Sequence, residues 1–183
     1  IIPDPWGDGV IVAGAFQNVG GDGTKDYLLR VIVSGTTYAY ALIGSAAPTN
    51  YAASSGVRST CYDETTGKLY ALGLWGRLGG VSSVLIAYYD GTNWNNLASG
   101  FVLATPLTMN IYSGLISENG NIHVASNIKY ANGVIIPDGF ATWSGNQWRG
   151  QKFDATGAAY DANNVFYDKD TGDLFWLGNS ISS

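Results

Sequence analysis

Four segments of this chain are copies of one another. Placed in register, "VIVAGAF" (10–16), "LYALGLW" (69–75), "IHVASNI" (122–128) and "LFWLGNS" (174–180) bring Gly14, Gly73, Ser126 and Gly178 together, at successive spacings of 59, 53 and 52 residues. A fixed period of about 20–50 residues constrains a fold more than any other sequence property, because each copy must then be one supersecondary unit that buries its apolar face on the next. More matches follow at consistent offsets. A glycine-rich loop comes first, as "NVGGDGTKD" (18–26), "RLGGVSS" (77–83) and "YANGVIIPD" (130–138). Then an apolar run ends in a turn and an aromatic, as "RVIVSGTTY" (30–38), "IAYYDGTNW" (86–94) and "FATWSGNQW" (140–148).

Each unit therefore holds three strand-like runs. The first is β-branched and aromatic around a small residue, and the second alternates in polarity. "DGTN" and "SGNQ" supply the tight connection to the third, where Gly91 and Gly145 can take positive φ without steric cost. A fourth run, "GVRSTCYD" (56–63), "NIYSGLIS" (110–117) or "NNVFYDKD" (163–170), leads into the opening phrase. No helix is predicted. Antiparallel four-stranded units of about 50 residues are the arithmetic of a β-propeller, with a solenoid or a β-sandwich as the competing architectures. The expected organisation is all-β: one propeller segment over 1–183, with blade-like repeats at about 9–67, 68–120 and 121–172 and the first strand of a fourth at 173–183. Residues 69 to about 120 are expected to form one four-stranded antiparallel sheet.

Composition agrees with a turn-rich β protein. Charged residues make up 13% of the chain, about half the usual share of roughly 25%, while glycine (25 residues) and aromatics (13%) are abundant. A net charge of −5, with nine scattered basic residues, argues against a nucleic-acid groove. No apolar run approaches the roughly 18–20 residues that span a bilayer, so membrane insertion is not expected. Cys61 is alone and cannot form an internal disulfide, and its strand context predicts a small buried residue. The chain opens at Ile1 and its single methionine is Met109, so a processed product or a piece of a longer protein is expected.

The stretch "LYALGLWGRLGGVSSVLIAYYDGTNWNNLASGF" (69–101) resembles one whole unit of the glycine-rich β-propeller repeats of bacterial surface and phage or viral proteins, relatives of kelch and of the galactose oxidase propeller. Imperfect copies cover nearly the whole chain. The resemblance implies a propeller fold and a structural or attachment role, on a cell surface or virion, in a larger protein such as a phage tail fibre or adhesin. It does not carry an activity, since one fold serves many functions. The copies depart from the pattern at Ser34 and Tyr38 in the first unit and at Ser126 and Ser144 in the third. Three units and one further strand fall short of the roughly 4–8 blades of a closed ring, so other subunits or the remainder of a larger protein are expected to complete it.

Copper radical chemistry of the galactose oxidase kind needs two histidines, and this chain has only His123, inside a strand, where a structural hydrogen bond is the plainer role. Most carboxylates sit in turns, where aspartate bonds the backbone two residues on. No enzymatic activity is expected, the alternative being a carbohydrate-active propeller with a carboxylate site in its central channel. "DKDTGD" (168–173) is acidic enough to raise calcium at Asp168, Asp170 and Asp173, but a strand begins at Leu174 before a full ligand loop can close, so no cofactor is expected. Trp94, Trp143, Trp148 and Tyr89 recur at equivalent positions and are read as core. Residues that do not recur are the binding candidates: Trp6; Asp22, Lys25 and Asp26 in the first glycine-rich loop; Arg77 in the second; Ile135, Ile136, Pro137 and Asp138 in the third. Their expected partners are a cell-surface glycan or a protein receptor.

Overall fold

Turn chemistry divides the chain into short strands. Asn119-Gly120, Asn132-Gly133 and Gly145-Asn146 each hold two consecutive residues at positive φ, the primed hairpin geometry whose twist matches that of the flanking strands. The computed structural model describes residues 1–21, 27–44, 56–75, 77–79, 81–82, 85–98, 101–103, 114–126, 128–136, 139–151 and 159–181. Among them there is no α-helix, only a short 3-10 turn at Val19–Gly21, and no helix long and apolar enough to cross a membrane.

The first sheet orders β1 (Ile2–Pro3), β2 (Gly9–Ala13), β3 (Leu28–Ser34) and β4 (Thr37–Leu42) as consecutive antiparallel neighbours. The second is built from β5 (Gly56–Asp63), β6 (Lys68–Leu74), β9 (Ile86–Tyr89) and β10 (Trp94–Asn96), with a two-stranded ribbon of β7 (Arg77–Leu78) and β8 (Val81–Ser82) between its middle strands. Next come β11 (Phe101–Leu103), β12 (Gly114–Glu118), β13 (Asn121–Ala125), β14 (Ile128–Ala131), β15 (Val134–Ile135), β16 (Phe140–Ser144) and β17 (Gln147–Gly150). The third sheet orders β12-β13-β16-β17, and β11, β14 and β15 pair separately. A hairpin of β18 (Ala159–Tyr167) and β19 (Leu174–Ile181) follows.

The described residues are thus all-β, with three four-stranded antiparallel sheets among them. The second sheet spans 56–96 and starts one strand ahead of the expected 69–120 span. The reason is local: "YDETTG" closes β5 onto β6 as a hairpin, and a hairpin partner a few residues away costs less chain entropy than a strand about 50 residues on. In this turn the Asp63 carboxylate accepts from Thr65 N at 3.0 Å and Thr66 Oγ1 at 2.5 Å, while Gly67 N donates to Asp63 O at 2.8 Å. "YDKDTG" is built alike: Asp168 Oδ1 accepts from Asp170 N at 2.9 Å, and Gly172 N donates to Asp168 O at 2.9 Å.

One tertiary bond recurs in all three sheets. Gly14 N donates to Tyr27 O at 3.0 Å, Gly73 N to Leu85 O at 2.8 Å, and Ser126 N to Gly139 O at 2.8 Å. The three acceptors share a left-handed backbone, with φ of 63°, 69° and 69°. For Leu85 that conformation costs about 1–2 kcal/mol, which the roughly 1.5–3 kcal/mol from burying its side chain offsets; Leu85 is fully buried.

Two compact units divide the chain, Ile1–Leu97 and Ala98–Ser183. In the first, Ile11 and Leu28 of one sheet meet Leu69, Ala71, Ala87 and Trp94 of the other in one apolar cluster. The Trp94 indole N–H donates to Ile43 O at 2.6 Å, and both Trp94 and Trp148 are buried. Tyr38, their counterpart in the first copy, is exposed. In the second unit Ala125 and Phe140 pack with Ala162 and Val165, so the third sheet lies against the β18–β19 hairpin.

The repeated glycine at 73 is needed for space rather than for φ. A Cβ there would lie 2.2 Å from Gly56 O and 2.5 Å from Trp75 Cζ3. Gly145, by contrast, has φ 58° and open space around it. In urea denaturation Gly73→Ala is expected to cost about 3 kcal/mol or more and Gly145→Ala about 1 kcal/mol. Equal costs would show that Gly73 is not packed against the neighbouring strand.

Candidate functional site

The loop between β1 and β2 carries Trp6, and a buried charge holds it. The Asp4 side chain is fully buried, with Oδ2 2.6 Å from Arg30 Nε on β3. Its Oδ1 accepts from Trp6 N at 3.0 Å, and Asp4 N donates to Gly9 O at 3.1 Å. An aspartate taken out of water needs such partners, and here one of them is the backbone of Trp6. Trp6 meets Tyr62 and Tyr89 edge to face, at centroid separations of 5.8 and 5.4 Å and interplanar angles of 82° and 84°.

Beside this aromatic group opens a cavity of about 380 Å³, lined by Ile2, Pro3, Pro5, Tyr62 and Glu64. Its size falls within the range of small-ligand sites, about 300–1,000 Å³. Prolines and a tyrosine ring give it flat apolar walls, and the exposed Glu64, whose carboxylate is a hydrogen-bond acceptor, also lines it. Flat apolar walls with one acceptor suit the face and hydroxyls of a sugar ring.

Of the residues picked out from sequence, Trp6 abuts this cavity's Tyr62 wall. Asp22, Lys25, Asp26, Pro137 and Asp138 lie outside the described residues. Arg77 is paired with Ser82 across β7 and β8, its side chain again outside the description. Ile135 is exposed, whereas Ile136 is fully buried beneath Gly150, where a Cβ would come within 3.1 Å of it. Trp6 and the two isoleucines belong to different units and are not brought together within either. Pattern reading missed Ile2, Pro3, Pro5, Tyr62 and Glu64. One signal was present: Glu64 sits in the repeated turn phrase where the other copy has Lys169, a charge reversal that turn formation does not require.

Several other titratable groups among the described residues are engaged in the fold. Asp90 accepts from Asn93 N at 2.8 Å and Thr92 N at 2.9 Å, and these donors hold its carboxyl below the usual range. Asp168 is lowered in the same way by the N–H groups of Asp170 and Thr171. Asp173 N takes a 3.3 Å bond to Thr171 Oγ1. Among the described residues no group of three or more His, Cys, Asp or Glu is arranged to hold a metal ion. His123 is buried on β13, with Nδ1 3.0 Å from Thr142 Oγ1 and Nε2 3.4 Å from Glu118 Oε2. Cys61, on β5, is a half-buried residue; burial and then the Asp63 carboxylate push its thiol well above the ordinary range.

Two solution properties follow. A thiol held protonated reacts slowly, because the thiolate is the nucleophile. Cys61 should therefore react with a disulfide reagent at pH 8 at least about tenfold more slowly in the folded chain than in urea; equal rates would place the sulfur in solvent. Burial lowers the His123 pKa from its ordinary 6.5, against a smaller opposing pull from Glu118. Between the lowered value and 6.5 the unfolded chain binds a proton that the folded chain does not. Stability is thus unaffected above 6.5 and falls as pH drops through that window. Urea midpoints of His123→Gln should depend less on pH than the parent's between about pH 7 and 5, and an unchanged slope would assign it to another group.

No protein-family model, curated protein or solved structure matches this chain.

Proposed function

We propose that the chain is a non-enzymatic segment of a β-propeller, in a larger surface or virion protein such as a phage tail fibre or adhesin, that attaches to a cell-surface glycan through the Tyr62–Glu64 cavity. The observation that carries the reading is the recurrence of one four-stranded sheet in step with the sequence repeat, with packed apolar faces between sheet and sheet or sheet and hairpin inside each unit. Repetition of this kind supplies a rigid scaffold, and scaffolds of stacked sheets present their ligand contacts on connecting loops. The cavity lies on such connections, at the β1–β2 loop and the β5–β6 turn. On this reading other subunits or further chain complete the ring, and the protein works outside the cell.

A glycan array probed with the chain tests the proposal. Retention of a glycan without chemical change is expected, and Glu64→Ala should weaken it about tenfold, the equivalent of 1.4 kcal/mol, while leaving the melting temperature unchanged because Glu64 is exposed. Binding by Glu64→Ala equal to the parent would remove the cavity from the account. Release of sugar from a polysaccharide, abolished by a single Asp substitution, would replace attachment by glycan cleavage.

A further inference from the structure

The lining of the Tyr62–Glu64 cavity narrows the class of glycan it takes. Its residues are Ile2, Pro3, Pro5, Tyr62 and Glu64, so the charge it presents is negative. Tyr62 runs alongside the turn that carries Glu64: a Cβ on Gly67 would stand 3.8 Å from the tyrosine hydroxyl oxygen. An aromatic ring and a carboxylate thus line one cavity, and each of them attracts cations.

That carboxylate is left to the ligand. Among the described residues no hydrogen bond or ion pair engages Glu64. Two cations of the same unit are committed elsewhere. Arg30 Nε is 2.6 Å from Asp4 Oδ2. Lys68 stands opposite Asp63 in the β5–β6 ladder, one place on from the Tyr62–Leu69 pair, so it projects from the other face of the sheet, where its Nζ lies 4.6 Å from the centre of the Tyr88 ring. The twin turn shows that folding does not require an acid at this position. Asp63 and Asp168 each accept from the N–H two residues on, at 3.0 and 2.9 Å, and the residue between is Glu64 in one turn and Lys169 in the other. Tyr167 likewise repeats Tyr62. One backbone turn therefore carries either charge, and the cavity stands beside the negative copy.

We propose that the cavity selects glycans bearing a free sugar amine, whose ammonium meets the Glu64 carboxylate while the sugar lies on the tyrosine and proline walls. This inference deepens the attachment reading above and rests on it. An N-acetyl group would mask the amine, leaving an ordinary hydrogen bond in place of a charge-assisted one of roughly twice the strength. A uronic or sialic acid would set a second negative charge beside Glu64, and the net charge of −5 repels such sugars further.

Titration calorimetry of the full chain tests this at about pH 6, where a sugar amine is protonated. The probes are a glucosamine tetramer, its N-acetylated form and a galacturonic acid tetramer. The amine form is expected to bind at least about tenfold more tightly than the N-acetyl form. Its advantage should shrink as salt rises from about 0.02 to 0.5 M, because Glu64 is exposed and its charge is screened. Glu64→Gln keeps an acceptor and drops the charge, and should bring those two forms to equal affinity. Glu64→Lys gives this turn the side chain of its twin, and should reverse the order of the amine and acid tetramers at an unchanged melting temperature, since Lys169 already occupies an equivalent turn. Equal affinity of the parent for the amine and N-acetyl forms overturns the inference and leaves glycan attachment in place. So does an amine preference that survives in Glu64→Gln, because another group would then set it, and so does equal binding of a lysine tetrapeptide, because charge alone would then be recognised. Retention of no sugar, in these titrations or on the glycan array, removes the attachment reading and this inference with it.

Discussion

Each complete sheet depends on one backbone hydrogen bond, the one between the landmark residue of the repeat and a left-handed residue before the third strand. It joins Gly14 to Tyr27, Gly73 to Leu85 and Ser126 to Gly139. The left-handed residue turns the chain so that its carbonyl meets the landmark N–H and the next strand enters the ladder in register. A slip of one residue would exchange the two faces of that strand. In the second sheet both faces of β6 are buried: Leu69, Tyr70, Ala71 and Leu72 are all core residues. Register is therefore enforced from both sides, and a non-glycine residue in strained backbone is tolerated where its side chain is buried deeply enough to offset the strain.

Most recurring positions are consumed by folding, which leaves departures from the repeat to carry anything else. Asp63, Asp90 and Asp168 accept backbone N–H groups within their own turns, and the lowered carboxyls of Asp90 and Asp168 are poor general acids. Asp4 departs from this pattern. It is buried and paired with Arg30, and its second oxygen caps Trp6. One ion pair thereby links the first sheet to the aromatic group beside the cavity. Glu64, which no turn bond claims among those described, is left to line the cavity.

Much of the architecture was legible because it is local. The 50-odd residue spacing, the Asp-x-x-Thr-Gly turns and the alternation in the second run each depend on contacts a few residues away, and the strands appear where those signals put them. Trp94 and Trp148 are buried as their recurrence implied, but Tyr38 at the same position is exposed, because what covers Trp94 is the segment around Ile43 and Gly44, supplied from the preceding sheet. Ile136 shows the opposite outcome. It does not recur, yet it is fully buried under Gly150. Recurrence reports the position of a residue in its own sheet, whereas burial depends on what is stacked above.

By itself the sequence determined that this is a repeated all-β chain and where its turns fall, since hydrogen bonds within turns and the steric freedom of turn glycines act over a handful of residues. Only the tertiary structure decided that the second sheet begins at Gly56, that Tyr62 and Glu64 meet two prolines at a cavity, and that Phe175 and Leu177 of β19 are exposed. Those outcomes depend on which sheet lies against which, and the contacts that settle it join residues tens of positions apart, such as Asp4 with Arg30 and Ile43 with Trp94. Period and pattern say that sheets must stack. The shapes of the side chains between them say how.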